Sequence, residues 1–341
     1  MKRIDFLKAG AGIVVSGGLM GMAEEAEPIL PLVLPKGLKR GDLIGITAPA
    51  GSVWNASHVD KIVAVLHKEG FKTEVGKTVY DQVGYLAGSD EMRAEELMYF
   101  FQKPSVKCIL TMRGGWGCAR ILERLDYSMI KNNPKIIMGF SDITSLLLAI
   151  YAKTGLVTFH GPCGYSSWGK FTLEAAKKAV VVGDPFLMEN PADNKDQLKT
   201  FVGGKAKGKL IGGNLAVLVS LIGTPYLPKL DNCLLFLEEI GEEPYRIDRM
   251  LWQLKQAGIF DLVSGVILGA FTDCVPKEPE RSFTLDEVFA QHFATVSFPV
   301  YAGASFGHLA PKFTLPIGVL AEMDADNFSI RTVMRCLVKG L

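Results

Sequence analysis

Between residues 36 and 165, short apolar runs alternate with segments of helical spacing. Residues 43–47, 106–111 and 136–138 are nearly continuous in Ile, Leu, Val and Met, the pattern of strands buried on both faces. Residues 59–67, 90–101, 119–125 and 143–152 carry apolar side chains at three- and four-residue spacing and read as helices, with Gly70 as a stop after the first. Residues 73–75 resume extended structure. This alternation predicts an α/β fold whose N-terminal domain, 36–165, is a Rossmann-like parallel sheet with helices on both faces. Ligands of such sheets bind at the carboxyl ends of the strands. Arg113-Gly-Gly and Ser141 both follow strands, so they are predicted on one rim.

Residues 166–200 are polar and weakly periodic and read as a linker. From 201 to 335 the texture changes to a second, smaller mixed α/β domain. Gly203, Gly204, Gly208, Gly212 and Gly213 punctuate short apolar segments there. Residues 234–237 and 263–268 read as strands, and 215–221, 247–257 and 285–294 as helices. Thr284 and Glu287 form a capping box for the last helix. Short strands around Val319 and Phe328 close the chain.

The 341 residues suffice for two cores. A net charge of +1 excludes the basic footprint of a nucleic-acid binder. Residues 1–26 stand apart: Lys2 and Arg3 precede a small, apolar stretch, then Gly21-Met-Ala23 and two glutamates. That is the pattern of a secretory signal peptide, predicting export to the periplasm or cell envelope; without a working leader the chain stays cytoplasmic. No later segment is long and apolar enough to span a bilayer. Six scattered cysteines lack ligand or bridge spacing, and no metal or cofactor signature is present. Gly114-Gly115-x-Gly117 is too short for a dinucleotide fingerprint.

Ser141 lies where a buried strand meets a helix, beside free N–H groups and the positive helix end. Such a serine suits acyl transfer; equally, Ser141 or Asp142 could simply cap the helix. A nucleophile needs a base, and there are five histidines. His58 and His67 lie on or beside a surface helix, and His292 has no catalytic neighbour in sequence. His160 precedes Gly161-Pro162 as a possible pocket residue, and His308 sits in a glycine-rich loop. Carboxylates cluster at Glu238, Glu239, Glu242 and Glu243, beside Arg246 and Arg249, either as a solvated acidic turn or as the source of an orienting acid.

Five motifs then occur together: Arg113-Gly-Gly-Trp-Gly117, Gly139-Phe-Ser-Asp-Ile-Thr144, Gly212-Gly-Asn-Leu215, Leu237-Glu-Glu-Ile-Gly-Glu-Glu-Pro-Tyr-Arg-Ile-Asp-Arg-Met-Leu251 and Gly307-His308. With the opening 35–49, the chain from about 35 to 335 resembles the LD-carboxypeptidase family of murein tetrapeptide carboxypeptidases and microcin C self-immunity peptidases. The resemblance implies a class I glutamine amidotransferase-like N-terminal domain and a serine hydrolase that needs no cofactor or metal. Ser141 would be the nucleophile, His308 the base, and Glu238 the acid, with Glu239 as the other candidate. The Gly115 and Asp142 amides would form the oxyanion hole, glycine at 115 leaving room for close backbone approach. It further implies a homodimer that releases terminal D-alanine from murein peptides. Action on peptidyl or aminoacyl nucleotides, with Trp116 or Trp168 stacking on the base, is the alternative. A murein-peptide binder without catalysis is a third reading, disfavoured by the intact Ser141, Glu238 and His308.

Overall fold

The runs of the first half assemble as one sheet, and the computed structural model describes residues 30–338. Strands β1 (Leu43–Thr47), β2 (Lys72–Val75), β3 (Val106–Thr111), β4 (Ile136–Gly139) and β5 (Thr158–His160) lie parallel in the order β5-β4-β3-β1-β2. Helices α1 (Ser57–Lys68), α2 (Asp90–Gln102), α3 (Tyr127–Asn132) and α4 (Ile143–Thr154) connect them. Ser89 and Asp126 cap α2 and α3 by accepting from Met92 N–H and Met129 N–H. The core of this layer is Ile, Leu, Val and Phe from both faces of the strands, as a covered parallel sheet requires.

The second half carries α5 (Lys170–Lys177), then strands β6 (Leu187–Glu189), β7 (Lys199–Val202), β8 (Lys205–Asn214), β9 (Cys233–Ile240), β10 (Gly265–Thr272) and β11 (Val300–Ala302). Helices α6 (Leu215–Ser220), α7 (Pro244–Gln256), α8 (Ile259–Leu262) and α9 (Leu285–Phe293) are interspersed. The chain ends with β12 (Leu315–Ile317), β13 (Leu320–Asp324) and β14 (Ser329–Thr332). Eight strands form the second sheet in the order β6-β14-β13-β8-β9-β10-β11-β7, parallel from β8 to β11 and antiparallel outside. The capping box of α9 is present.

Four expectations need correction. Residues 119–125 form a seven-residue 3₁₀ segment, Cys118–Arg124, in place of an α-helix. The stretch 166–200 is more than a connection: α5 packs on the first layer, and β6 and the start of β7 pair into the second sheet. The glycines after 203 do not break the second sheet into short strands, since β8 runs ten residues through them. A Cβ at Gly212 would sit 1.8 Å from Phe236 O on β9, so this glycine permits close strand approach. Finally, β12 leaves the second domain and pairs antiparallel with β5, stitching the two sheets into one molecule. The signal-peptide pattern at 1–26 lies outside the described residues. Among the described residues no helix is long and apolar enough to cross a membrane.

Candidate active site

The β4–α4 turn carries the serine. Gly139 ends the strand, Phe140 is buried, and Ser141 takes φ 65°, the left-handed region that a side-chain-bearing residue enters at a cost of about 1 kcal/mol or more. Asp142 then opens α4 with φ −56°. Its side chain makes no helix cap: Oδ2 accepts from Cys118 N–H at 2.8 Å, which ties the serine turn to the loop after β3. Burial pushes the Asp142 carboxyl up from its ordinary value, and the Cys118 amide opposes that.

The loop after β3 approaches this turn closely at Gly114. A Cβ there would lie 2.8 Å from Ser141 Cβ and 2.9 Å from both Ser141 Oγ and Asp142 N. Close approach therefore demands glycine at 114, one position before the residue singled out by sequence. Gly115 is required for another reason, its φ of 103°. Gly115 is exposed, and neither its N–H nor that of Asp142 donates to another group among the described residues.

Sequence left the orienting acid between Glu238 and Glu239, and strand geometry separates them. Both lie inside β9, beyond the predicted end of the strand, so successive side chains face opposite ways. Glu238 is fully buried, and its Oε2 lies 2.7 Å from His308 Nδ1. Glu239 points to α6: Oε1 accepts from Asn214 Nδ2 at 2.8 Å and Ile240 N–H at 2.9 Å, and Oε2 accepts from Ala216 N–H at 2.8 Å. Burial raises the Glu239 pKa against these bonds. Its partners are an N-cap asparagine and backbone amides, so its work is structural.

His308 is fixed from three sides. Nδ1 meets Glu238, the carbonyl accepts from Thr272 Oγ1 at 2.7 Å, and the ring stands edge-on to Phe140 with centroids 4.8 Å apart. A carboxylate oxygen only accepts, so the proton of the neutral ring sits on Nδ1 and Nε2 is left basic. No hydrogen bond joins Ser141 to His308 among the described residues; the contact between the serine turn and the imidazole is made by Phe140, the residue before Ser141, whose ring lies edge-on to it. Thr144 Oγ1, in the first turn of α4, accepts from Asn214 N–H at 3.0 Å, and Asn214 is the register partner of Glu238.

Lys312 was missed by sequence reasoning, because one lysine in an aperiodic loop carries no signal. It is buried, its Nζ donates to Gly307 O at 2.7 Å, and it sits 3.9 Å from the centre of the Phe140 ring. Burial lowers its pKa, while Cys163 and Glu238 pull it back. Trp168 is half-buried, and its Nε1–H donates to Cys163 O, so it serves packing; Trp116, beside Gly115, is 46% exposed. His67 is exposed and bonds Thr73, and His58 stacks on Tyr165 with centroids 4.2 Å apart. His292 has a carboxylate neighbour that sequence did not reveal: Asp248 Oδ1 lies 2.7 Å from its Nε2, across α7 and α9. Among the described residues no group of three or more His, Cys, Asp or Glu side chains could hold a metal ion. A cavity of about 400 Å³ beside α2, lined by Glu95, Met98 and Tyr99, contains none of these site residues.

His160 is fully buried behind the site, pairing in register with Gly139 and packed by Phe140, Phe236 and Phe306. Neither ring nitrogen has a hydrogen-bond partner among the described residues, and burial pushes its pKa down to about 4. A histidine depressed below its unfolded value of about 6.5 contributes stability that is present above that value. This contribution is lost as pH falls through the folded value, here between about 6.5 and 4. Wild type is expected to lose about 3 kcal/mol more stability than His160→Leu across that window, because 1.36 kcal/mol accompanies each pKa unit. Urea unfolding at pH 7 and pH 4.5 checks this; parallel losses in both proteins would contradict it.

Family models match both halves of the chain: the LD-carboxypeptidase N-terminal domain over residues 44–161 and the LD-carboxypeptidase C-terminal domain over 207–323. A probable murein peptide carboxypeptidase of Bacillus subtilis (strain 168) is 39% identical over 293 residues, 85% of this chain and 91% of the relative. The microcin C7 self-immunity protein MccF of Escherichia coli is 33% identical over 85% of this chain and 92% of its own. A structure of MccF in complex with glutamyl sulfamoyl guanosine superposes with a TM-score of 0.82, covering 90% of this chain and all of that one at 30% identity. Muramoyltetrapeptide carboxypeptidase from Oxalobacter formigenes superposes with a TM-score of 0.74 at 28% identity, over 85% of this chain and 97% of that chain.

Proposed function

The chain belongs to the LD-carboxypeptidase family of serine-type peptidases, and from that premise we propose that it releases terminal D-alanine from murein tetrapeptides through Ser141, His308 and Glu238. The observation that carries this reading is the 2.7 Å contact between a fully buried carboxylate and His308 Nδ1, on an imidazole that lies edge-on to Phe140 of the Ser141 turn. His308 Nε2 takes the Ser141 proton as the hydroxyl attacks the carbonyl of the L-centre. Glu238 holds the tautomer and stabilises the imidazolium. The Gly115 and Asp142 amides receive the oxyanion, each worth roughly 3 to 4 kcal/mol. Collapse of the tetrahedral intermediate passes the proton from His308 to the leaving amine and expels D-alanine. Water, activated by the same imidazole, then hydrolyses the acyl-serine.

The leader-like pattern at 1–26 supports a site of action in the cell envelope, where murein peptides are met. Residues 27–341, incubated with a murein tetrapeptide ending in D-alanine, should release that residue, followed by mass spectrometry. The same peptide ending in L-alanine should remain intact. Equal cleavage of both would overturn the stereochemical assignment.

One observation favours a second reading: the exposed indole of Trp116 beside Gly115, together with the likeness to MccF. On that reading the substrate is a peptidyl or aminoacyl nucleotide, and turnover of an aminoacyl sulfamoyl nucleoside faster than the tetrapeptide would establish it.

A further inference from the structure

Arg113 lies in the loop after β3, two residues past Thr111 and one before the glycine that approaches Ser141. Its guanidinium is half-buried between rings: Cζ lies 3.8 Å from the centre of Trp54 and 5.7 Å from that of Tyr165. Of its five N–H donors only one is engaged among the described residues, Nη1 to Ser52 O at 3.0 Å. No carboxylate pairs with it among the described residues, although the neighbouring Arg120 is matched by Asp90. Burial accordingly lowers its pKa, and only Tyr165 and Cys163, not a carboxylate, pull it back. A cation that has been taken partly out of water and left without an anion is held for one supplied from outside.

Its position relative to the reacting atoms narrows the class of anion. A Cβ on Gly115 would meet Arg113 Nη2 at 3.1 Å, so the fork stands beside the amide that receives the oxyanion. In a peptide cut at its last bond, the scissile carbonyl and the terminal carboxylate are one residue apart, about 3.5 Å along an extended chain. Resting on the function proposed above, we propose that Arg113 binds the terminal carboxylate of the leaving D-amino acid and so makes the enzyme an exopeptidase. The flat guanidinium, stacked on Trp54, presents two parallel N–H groups to that carboxylate. An internal peptide bond offers no such anion and is cut poorly.

The test compares a tetrapeptide ending in free D-alanine with the same peptide ending in D-alaninamide, both products being resolved by mass spectrometry. Wild type is expected to favour the acid by about 100-fold in kcat/KM, the scale on which losing one partner of a desolvated charge pair is felt. In Arg113→Met that preference shrinks to within a few-fold, and in Arg113→Lys it is intermediate. Equal rates on acid and amide in wild type would overturn the subsite while leaving the hydrolase intact, and need no variant to fold. A preference that survives in Arg113→Met would also overturn it. Failure of wild type to cut either peptide would instead remove the proposed reaction, and the subsite with it.

Discussion

Ser141→Ala is expected to lower D-alanine release by roughly 10⁵-fold, because the attacking oxygen is gone and water must serve alone. On the proposed mechanism some acceleration over solution persists, because the Gly115 and Asp142 amides would still receive the oxyanion. The substitution should not unfold the protein: alanine keeps the Cβ, and no hydrogen bond of the Ser141 hydroxyl is lost among the described residues. Ser141→Gly supplies a sharper readout. With φ at 65°, glycine relieves the left-handed penalty, so this variant should be as inactive as Ser141→Ala but about 1 kcal/mol more stable. Chemical denaturation of the two variants measures the difference. A glycine variant less stable than the alanine one would mean that the turn carries no strain.

Glu238→Gln is expected to cost about 10⁴-fold in kcat with little change in fold. The glutamine amide can turn its NH₂ toward His308 Nδ1, which then loses its hydrogen to Nε2 and can no longer accept from serine. Glu239→Gln is the contrasting variant. Its carboxylate accepts three hydrogen bonds from Asn214, Ala216 and Ile240, and an amide nitrogen must now face at least one of those donors. That mismatch should destabilise the protein by roughly 2 kcal/mol while leaving activity at low temperature within about tenfold of wild type. The pair is assayed by single-turnover kinetics at 15 °C and by urea midpoints. If Glu239→Gln lost the catalysis and Glu238→Gln the stability, the assignment of the two faces of β9 would be reversed.

The first domain was legible because its strands are short, apolar and separated by amphipathic helices; β1, β3 and β4 fall where the runs lie. The second was less so. Gly208 and Gly212 look like punctuation along the chain, yet they sit inside β8 because a side chain there would collide with the backbone of β9. The strand β12 pairs with β5 over 150 residues away, a partnership that three residues of apolar sequence cannot announce. The strand-to-helix setting of Ser141 could be read, whereas which of Glu238 and Glu239 faces His308 needed the alternation of a strand whose end polarity concealed. Buried polar groups were the least visible. Lys312 and His160 owe their roles to rings, Phe140 among them, that come together only in the folded molecule.

The central claim is that His308, held by Glu238, activates Ser141. Reaction with a fluorophosphonate, followed by intact-mass and peptide mass spectrometry, tests it most directly. One adduct is expected, on the peptide containing Ser141, forming at least 100-fold more slowly in His308→Ala and in Glu238→Gln. Labelling of another residue, or of Ser141 at an undiminished rate in both variants, would contradict the account.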